Sequence, residues 1–554
     1  MLMKNCIILS LLLSLVAMTC LAIPAKRVRK SLTLSDGTTV TATLVGDENG
    51  HWYVDDQGRT LSEDSTGIAH YMSIYELDYH KKAKTERAAI RNKARKARMA
   101  KREITRSSNA DNTIGFIGKK KGIAILVNFS DAKFYYTQED FNALANENGY
   151  NKNGAKGSVR DYFRDQSYGK FEIEFDIVGP YDLAHNMEYY GKNLKNKAGE
   201  DALPGEMVTE AVKLADKDVN FADYDWNYDG EVDQVYIIFA GYGEEQGASS
   251  TTMWSHEWDL TSAKEDNCGG NGSVLLDNVW INTYACSSEL RGKQGKKICG
   301  IGTMCHEFSH CLGLPDFYDT VGKGFGMDSW SIMDYGAYNG DCDIPCGYTS
   351  YERWAAGWLE PVELSTTTIV TDMKAITETP EAYVIYNDAN KNEYYLLENR
   401  QLTSWDEGNP GHGLLILHVD YDENAWRQNT VNNVATHQRM SIFHADNSAL
   451  KTNLAGDPYP GTSGNNSLTN TSLPSAKLFN ANKDSRKFMG KPITDITENP
   501  DSTISFNFTN PYIITDIEQI SVEPKTKIYS ITGQYMSTDL KKLPRGLYKV
   551  KREK

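Results

Sequence analysis

The sequence lacks three features that would place the protein in a familiar class. It has no two cysteines separated by two residues, which argues against a zinc site made of cysteines. Beyond residue 22 it has no apolar run long enough to cross a bilayer. It also has no excess of positive charge, because its formal net charge is −15. We therefore expect no transmembrane segment in the mature chain and no nucleic-acid partner.

The N-terminus predicts export. Lys4 precedes an apolar run from Cys6 to about Met18, and small residues follow near Ala22, which is the pattern of a secretory signal. A lipoprotein would carry its lipid on Cys20, and the threonine before that cysteine fits this alternative poorly. We expect a secreted or cell-surface protein.

The most informative stretch is residues 302–319, GTMCHEFSHCLGLPDFYD. His306 and His310 are four residues apart, so on a helix both imidazoles can face one tetrahedral metal. Glu307 would then lie beside the water that such a metal holds. The alternative is a buried helix in which backbone carbonyls satisfy both histidines.

The residues after the second histidine favour the metal site. Gly313 can leave the helix at positive φ, and Pro315 discourages further helix. The chain can therefore fold back so that Asp316 becomes a third ligand. Three protein ligands leave one position open, which is typical of a catalytic zinc.

A second motif follows at residues 330–336, WSIMDYG, and it looks like the methionine turn of metzincins. Met333 would pack beneath the metal as a soft apolar floor. Tyr335 stands where some metzincins carry a tyrosine that stabilises the oxyanion, and its alternative role is that of a packed aromatic at the rim.

An acidic segment at residues 223–233, DYDWNYDGEVD, resembles the first half of a calcium loop. Its candidate ligands are the side chains of Asp225, Asn227, Asp229 and Asp233 and the carbonyl of Glu231. The bidentate glutamate that ends an EF-hand is missing, because Tyr236 occupies that place. The alternative is an acidic turn without an ion.

The chain of 554 residues is too long for one core, and we predict an α+β protein of several units. The predicted order is a signal peptide at 1–22, a propeptide at 23–112, a metzincin-like catalytic domain at 113–360, a β-sandwich at 361–510 and a tail at 511–554. Alternating residues and Gly turns predict a small β unit at 31–72, and six short apolar runs predict the sandwich. The tail resembles, weakly, the sorting tails of some surface-delivered proteins.

The end of the propeptide is rich in Ala, Lys and Arg from residue 78 to residue 106. This composition favours a solvated helical linker that a trypsin-like enzyme would cut, and binding to nucleic acid or a membrane is the alternative.

Nine cysteines occur, of which Cys6 and Cys20 fall within the predicted signal. The other seven lie between residues 268 and 346, where an oxidising compartment allows disulfides and an odd number leaves at least one thiol over. Cys342 and Cys346 are close enough in sequence to close a small loop, and the other pairings stay open.

Together these residues resemble the secreted bacterial metallopeptidases of the immune inhibitor A type. The resemblance lies in DGTTVTATLVGDENGHWYVDDQGRTL, GSVRDYFRDQSYGKF, HEFSHCLGLPDFYD, YYLLENRQ and GLLILHVD. It implies a zincin domain in which His306, His310 and Asp316 hold one zinc and Glu307 is the general base. It also implies bound calcium and protein substrates. Residues 23–267 contain no cysteine, so a propeptide cysteine cannot block the zinc, and an oxygen or nitrogen ligand remains open.

We therefore predict a monomeric, secreted zinc endopeptidase that is made as a zymogen. The alternative is a calcium-stabilised surface binding protein or adhesin on a dead protease fold, whose sequence would have lost Glu307 or a metal ligand. A zinc-dependent hydrolase of glycans or mucins is a third option.

Overall fold

The computed structural model describes residues 23–64, 66–84, 116–194, 200–320, 324–511 and parts of 526–552. The predicted signal peptide and most of the predicted basic linker lie outside the described residues. Within the described residues, no helix combines the length and the apolar character that a bilayer span requires.

The first unit is a closed five-stranded barrel. Its strands are β1 (Arg29–Leu34), β2 (Thr39–Asp47), β3 (Gly50–Asp55), β4 (Thr60–Glu63) and β5 (Ile68–Tyr71). Neighbouring strands pair antiparallel, and β1 closes the barrel by pairing in parallel with β5. The predicted alternation holds, because Leu32, Ala42, Leu44 and Leu61 point into one apolar core. Trp254, from far along the chain, joins that core.

A second sheet supports the metal motif. Its strands and the adjoining hairpin are β6 (Gly118–Asn128), β7 (Phe171–Asp182), β8 (Val235–Tyr242), β9 (His256–Asp259), β10 (Val274–Leu276), β11 (Val279–Ile281) and β12 (Thr283–Leu290). The order in the sheet is β7-β6-β8-β12-β9, and only the edge strand β9 runs antiparallel to its neighbour. Parallel strands are covered on both faces, which explains the unbroken apolar run of β8.

Residues 74–84 are helical. The later α-helices are α1 (Gln138–Asn146), α2 (Val159–Gln166), α3 (Met187–Gly191), α4 (Pro204–Ala215), α5 (Leu260–Glu265), α6 (Ile301–Cys311), α7 (Ser350–Ala355) and α8 (Glu423–Arg427). They cover both faces of the sheet. Alternate residues of β6 enter different cores, so that Ile125 packs with α4 and Leu126 packs with α6. Every residue of α6 is buried, which places the metal motif inside the molecule.

The C-terminal region is built from short strands, as the sequence predicts. They are β13 (Val362–Glu363), β14 (Thr368–Met373), β15 (Tyr383–Asn387), β16 (Asn390–Arg400), β17 (Gly413–Asp420), β18 (Met440–Ile442), β19 (Ile493–Glu498) and β20 (Ile504–Phe508). They form a five-stranded sheet, β13-β15-β16-β17-β18, and a three-stranded sheet, β14-β20-β19. Strands β21 (Thr526–Ser530), β22 (Tyr535–Ser537) and β23 (Tyr548–Arg552) form a separate small sheet.

Both faces of the five-stranded C-terminal sheet are apolar, because successive residues of a strand point to opposite faces and each packs in a core. Leu397 and Ile416 pack towards the three-stranded sheet, whereas Leu396 and Leu417 share a core with α6. The C-terminal region is therefore packed directly against the metal-binding helix.

The disulfide that the sequence allowed between Cys342 and Cys346 is not formed. Among the described residues, no two cysteines are joined. The sulfur of Cys346 packs against Gly336, where an added Cβ would lie within 2.3 Å of it. The two thiols therefore have different neighbours, and close spacing in sequence was a poor guide to pairing.

Candidate metal centre

Helix α6 is positioned by a close approach to the methionine turn. Gly302 lies on its first turn, and a Cβ there would come within 1.9 Å of the carbonyl oxygen of Ala337. Glycine therefore lets the helix touch the backbone of the segment that follows the turn. Met333 lies fully buried in the same core.

Two backbone carbonyls orient the imidazoles. His306 Nδ1 lies 2.6 Å from the carbonyl oxygen of Ile332, and His310 Nδ1 lies 2.8 Å from that of Leu314. A carbonyl can only accept, so each Nδ1 carries the proton and each Nε2 presents a lone pair. The carbonyl of Leu314 reaches His310 because Gly313 ends the helix at φ 91°.

Asp316 completes the set of donors. Its Oδ1 lies 3.3 Å from Nε2 of His306 and 3.6 Å from Nε2 of His310. Two ligands of a tetrahedral zinc, each about 2.0–2.1 Å from the metal, are about 3.3–3.4 Å apart. The two distances from Asp316 Oδ1 are therefore close to the spacing of zinc ligands, and two imidazoles with a carboxylate suit this metal.

Glu307 also offers an oxygen close to both imidazoles, since His306, Glu307 and His310 have ligand atoms within 4.8 Å of one another. Asp316 Oδ1 lies 3.3 Å and 3.6 Å from the two Nε2 atoms, so Asp316 remains our candidate for the third ligand and Glu307 our candidate for the base beside the site. Burial raises the pKa of Glu307 well above its ordinary value, and the carboxylates of Asp316 and Glu48 add to this effect. A cation bound next to Glu307 would act in the opposite direction.

One functional residue was missed by sequence reasoning. Asn429 donates from Nδ2 to Asp316 Oδ2 over 2.7 Å, and its Oδ1 accepts the Asp316 N–H over 2.6 Å. Asn429 is fully buried and follows α8 in the C-terminal region. It fixes the carboxylate on the side away from the imidazoles, as outer partners of metal ligands do.

Two neighbours of Asn429 extend this contact. Asn432 donates to the carbonyl of Phe317 over 2.6 Å, and Asn433 accepts from the hydroxyl of Thr320 over 2.8 Å. We name residues 429–433 the asparagine loop. The asparagines of NTVNN were visible in the sequence, but nothing local indicated their partner 113 residues away.

A second distant segment reaches the same centre. Residues 23–27, here named the N-terminal segment, begin at Glu307, whose Oε1 accepts the Ile23 N–H over 3.0 Å. The carbonyl of Ile23 accepts from the indole of Trp254 over 3.3 Å, and that of Pro24 accepts from the hydroxyl of Tyr338 over 2.7 Å. The segment therefore follows the wall of the site away from Glu307.

The barrel docks beside this segment. His51 Nε2 lies 2.9 Å from Glu244, and its ring stacks on Trp254 with centroids 4.4 Å apart. The turn between β2 and β3 is buried, and the charge of Glu48 in this turn acts on Glu307. The barrel and the N-terminal segment thus cover the metal centre from one side.

Tyr335 lies in the same wall, where Arg27 Cζ is 3.6 Å from the centre of its ring. Burial raises the pKa of Tyr335 to about 12, although Arg27 works against this effect. The role of its hydroxyl at an oxyanion stays a prediction.

The expected calcium ligands come together in one loop. Asp225 and Asn227 both accept the N–H of Asp229, Asp229 accepts that of Glu231, and Asp233 accepts that of Trp226. The ring of Trp226 lies 6.1 Å from that of Phe308 on α6, so the loop is coupled to the metal helix. Calcium binding stays a prediction.

Known proteins share this catalytic region. Residues 111–360 match the model of the family described as immune inhibitor A peptidase M6, catalytic domain. The pre-pro-metalloprotease PrtV of Vibrio cholerae is 29% identical over 230 residues, which are 37% of this chain and 23% of the relative. Immune inhibitor A of Bacillus thuringiensis is 27% identical over 274 residues, which are 41% of this chain and 37% of the relative.

A putative secreted metallopeptidase of the fungus Arthroderma benhamiae is 26% identical over 210 residues, which are 33% of this chain and 29% of the relative. The chain thus covers well under half the length of each of these relatives. The matched residues contain the whole metal motif and the methionine turn. Residues 111–360 therefore resemble the catalytic domain of the immune inhibitor A peptidases, which supports an M6 metallopeptidase domain in this part of the chain.

Proposed function

We propose that the protein is a secreted zinc endopeptidase of the metzincin type, made as a zymogen and acting on protein substrates. The observation that carries the proposal is the convergence of Asp316 Oδ1 with the Nε2 atoms of His306 and His310. The hydrogen bonds on both Nδ1 atoms prepare these imidazoles to bind a metal. A zinc held there would polarise the scissile carbonyl and make water a stronger nucleophile at neutral pH.

The protein's own groups would handle the proton. Glu307 takes a proton from the attacking water and returns it to the leaving amine, and its burial keeps bulk water away from that exchange. Tyr335 is our candidate for a hydrogen bond to the oxyanion. The asparagine loop would keep Asp316 in place through this cycle.

Two variants and one chelator test the proposal. The purified, processed protein should contain one zinc and cleave casein, and a zinc chelator should stop cleavage. The variant Glu307→Ala should keep its zinc and lose hydrolysis by a factor of about 10² or more, because it lacks the proton carrier. The variant His310→Ala should lose the zinc itself.

Other outcomes would favour the alternatives. Zinc binding without cleavage of any protein would favour a binding protein on a dead protease fold. Release of sugar from mucin without cleavage of casein would favour a glycan hydrolase. Full zinc occupancy in His310→Ala would show that the metal lies elsewhere.

Latency is the second part of the proposal. The contacts of Ile23 with Glu307 and of Pro24 with Tyr338 support it, because they fill the space where a substrate would approach Glu307. Signal cleavage after Ala22 would leave the amino group of Ile23 at this place. Cleavage in the predicted basic linker between Lys81 and about Arg106 would then free the barrel with its N-terminal segment.

The predicted calcium loop, Asp225 to Asp233, would add stability rather than chemistry. A bound ion would raise the melting temperature of the processed enzyme by mass action, and a calcium-selective chelator would remove that gain. An unchanged melting temperature would make the segment an acidic turn.

A further inference from the structure

The N-terminal segment has a direction relative to the metal centre. Its first nitrogen lies 3.0 Å from Glu307, and Lys26 N–H, three residues later, donates to the carbonyl of Glu245 over 2.8 Å. Hydrolysis of a peptide creates a new amine on the C-terminal side of the broken bond, and Glu307 would supply its proton. Ile23 therefore lies where the first residue after the scissile bond would lie. By the same count, Lys26 takes the fourth place and Arg27 the fifth.

The fifth place is a specific seat for a guanidinium. Arg27 Nη2 donates to Asp328 Oδ2 over 2.6 Å, and Nη1 lies 3.5 Å from the other oxygen. The plane of the guanidinium stacks on the ring of Tyr335 at 3.6 Å. The Asp328 carboxylate is 0% exposed, so this ion pair is far less screened than a surface pair.

This seat holds more negative than positive charge once the N-terminal segment has left. Asp334 lies beside Asp328, since one of its oxygens accepts the N–H of Asp328 over 2.8 Å. Burial raises the pKa of Asp334 to about 7, and the charge of Asp328 contributes. The ammonium of Lys451 is 3.9 Å from Asp328. Near neutral pH Asp334 is therefore only partly ionised. When Arg27 departs, the full charge of Asp328 and part of that of Asp334 face this one lysine, and an arriving cation restores the balance.

The fourth place is a weaker seat. Lys26 binds Asp341, whose carboxylate is 53% exposed. Arg291 also binds Asp341, over 2.8 Å, and it stays when the N-terminal segment leaves. At the fourth place Asp341 therefore keeps Arg291 as a partner, and a basic residue of a substrate would add little.

We propose that Asp328 and Tyr335 form a substrate subsite that selects arginine at the fifth residue after the scissile bond. Lysine is second choice, because its point charge can neither fork onto the carboxylate nor stack as a plane. This inference rests on the proposed function, and it adds a substrate class: polypeptide segments with a basic residue downstream of the cut. The competing explanation is that the seat only anchors the propeptide.

The test uses the zinc-loaded enzyme after its propeptide has been removed by limited trypsin. Cleavage sites are first located in casein by mass spectrometry. One cleaved peptide is then made with Arg, Lys, Gln or Glu at the fifth residue after the cut, and kcat/KM is measured for each. We expect Arg to exceed Gln by about 10-fold or more and Glu to be poorest.

Two further measurements assign the preference to the seat. The ratio of Arg to Gln should fall to about one in Asp328→Asn and should persist in Asp341→Asn, the matched control at the weaker seat. The peptide Ile-Pro-Ala-Lys-Arg-Val should inhibit the wild-type enzyme about 10-fold better than the same peptide with Gln for Arg. This second measurement needs no variant and therefore stands even if Asp328→Asn does not fold.

Equal kcat/KM for all four peptides, or equal inhibition by both hexapeptides, would overturn the subsite and leave the peptidase intact. Failure to cleave any peptide would instead overturn the proposed function and the subsite with it.

Discussion

Two segments from distant parts of the chain each hold one carboxylate of the metal centre. The N-terminal segment donates the Ile23 N–H to Glu307, and the asparagine loop donates the Asn429 amide to Asp316. The separations along the chain are 284 and 113 residues. In each case a carboxylate to which we assign a role in the proposed chemistry is held by a partner from outside the metal motif.

The two segments differ in how they are anchored. The asparagine loop belongs to a region whose sheet shares an apolar core with α6, through residues such as Leu396 and Leu417. The N-terminal segment is continuous in sequence with the barrel, and both meet the catalytic region through non-covalent contacts such as that of His51 with Glu244. The asparagine loop is therefore part of the centre, whereas the N-terminal segment would leave with the barrel under the proposed activation by cleavage. Both segments donate an N–H group to a carboxylate. We propose that they differ instead in which part of the chain they belong to, and therefore in whether cleavage can remove them.

The largest effect on activity should come from deleting the N-terminal segment. A precursor without residues 23–27, but with its barrel and linker intact, should cleave casein roughly 100-fold faster than the full precursor. The reason is that a tethered segment competes with substrate at an effective concentration of about millimolar. The measurement is the initial rate with both chains confirmed uncut by mass spectrometry. Equal rates would mean that the barrel alone, or nothing, causes latency.

The variant Asn429→Gly should lose the side-chain contact with Asp316. We expect it to change the affinity for zinc and to leave the latency of the precursor unchanged. Glycine tolerates the φ of 51° at this position, so the variant removes the amide without straining the backbone. We expect zinc affinity to fall about 10–100-fold, as measured by competition with a coloured chelator.

The matched control for this variant is Asn433→Ala, which removes the contact with Thr320 and leaves Asp316 untouched. Its zinc affinity should stay within about 3-fold of wild type, because it lacks any contact with a ligand. A loss as large as that of Asn429→Gly would mean that the loop acts only through general stability.

The smallest effects should rank the contacts within the N-terminal segment. Arg27→Ala should raise the residual activity of the uncut precursor about 10-fold, because it leaves the buried Asp328 without its strongest partner. Lys26→Ala should raise it by about 3-fold or less, because Asp341 is half exposed and keeps Arg291. A larger effect of Lys26→Ala than of Arg27→Ala would show that burial of the carboxylate does not decide how strongly each ion pair holds the N-terminal segment.

Local patterns predicted the metal motif well. The spacing of His306 and His310 gave the helix, and Gly313 ended it at positive φ as expected. The apolar runs of the C-terminal region became strands because alternation is also a local property. The fit of Asp316 to the imidazoles followed from the same few residues.

The contacts that complete the centre were beyond such reasoning. Asn429 carries no signal of its partner, and Ile23 follows the predicted signal peptide without any local pattern that indicates a contact with Glu307. Strand β16 is a further example, because its charged residues Glu398 and Arg400 are fully buried and their partners could not be predicted from local sequence. Arg400 binds Asp406 over 2.6 Å, and Glu398 accepts the N–H of Ser350, so LLENR is a polar join between two regions.

The dependence of Asp316 on Asn429 also sets an order of events during synthesis. The barrel is made of contacts close in sequence, and it emerges and folds early, together with the segment that covers Glu307. Asp316 obtains the support of Asn429 only when residue 429 has been made, 113 positions later. Under the proposed latency, the segment that covers Glu307 is thus in place before the centre can be finished, and we expect a chain that stops short of the asparagine loop to hold its metal poorly. If the proposed latency holds, the order in which the chain is synthesised would itself keep an uninhibited active centre from forming in the producing cell.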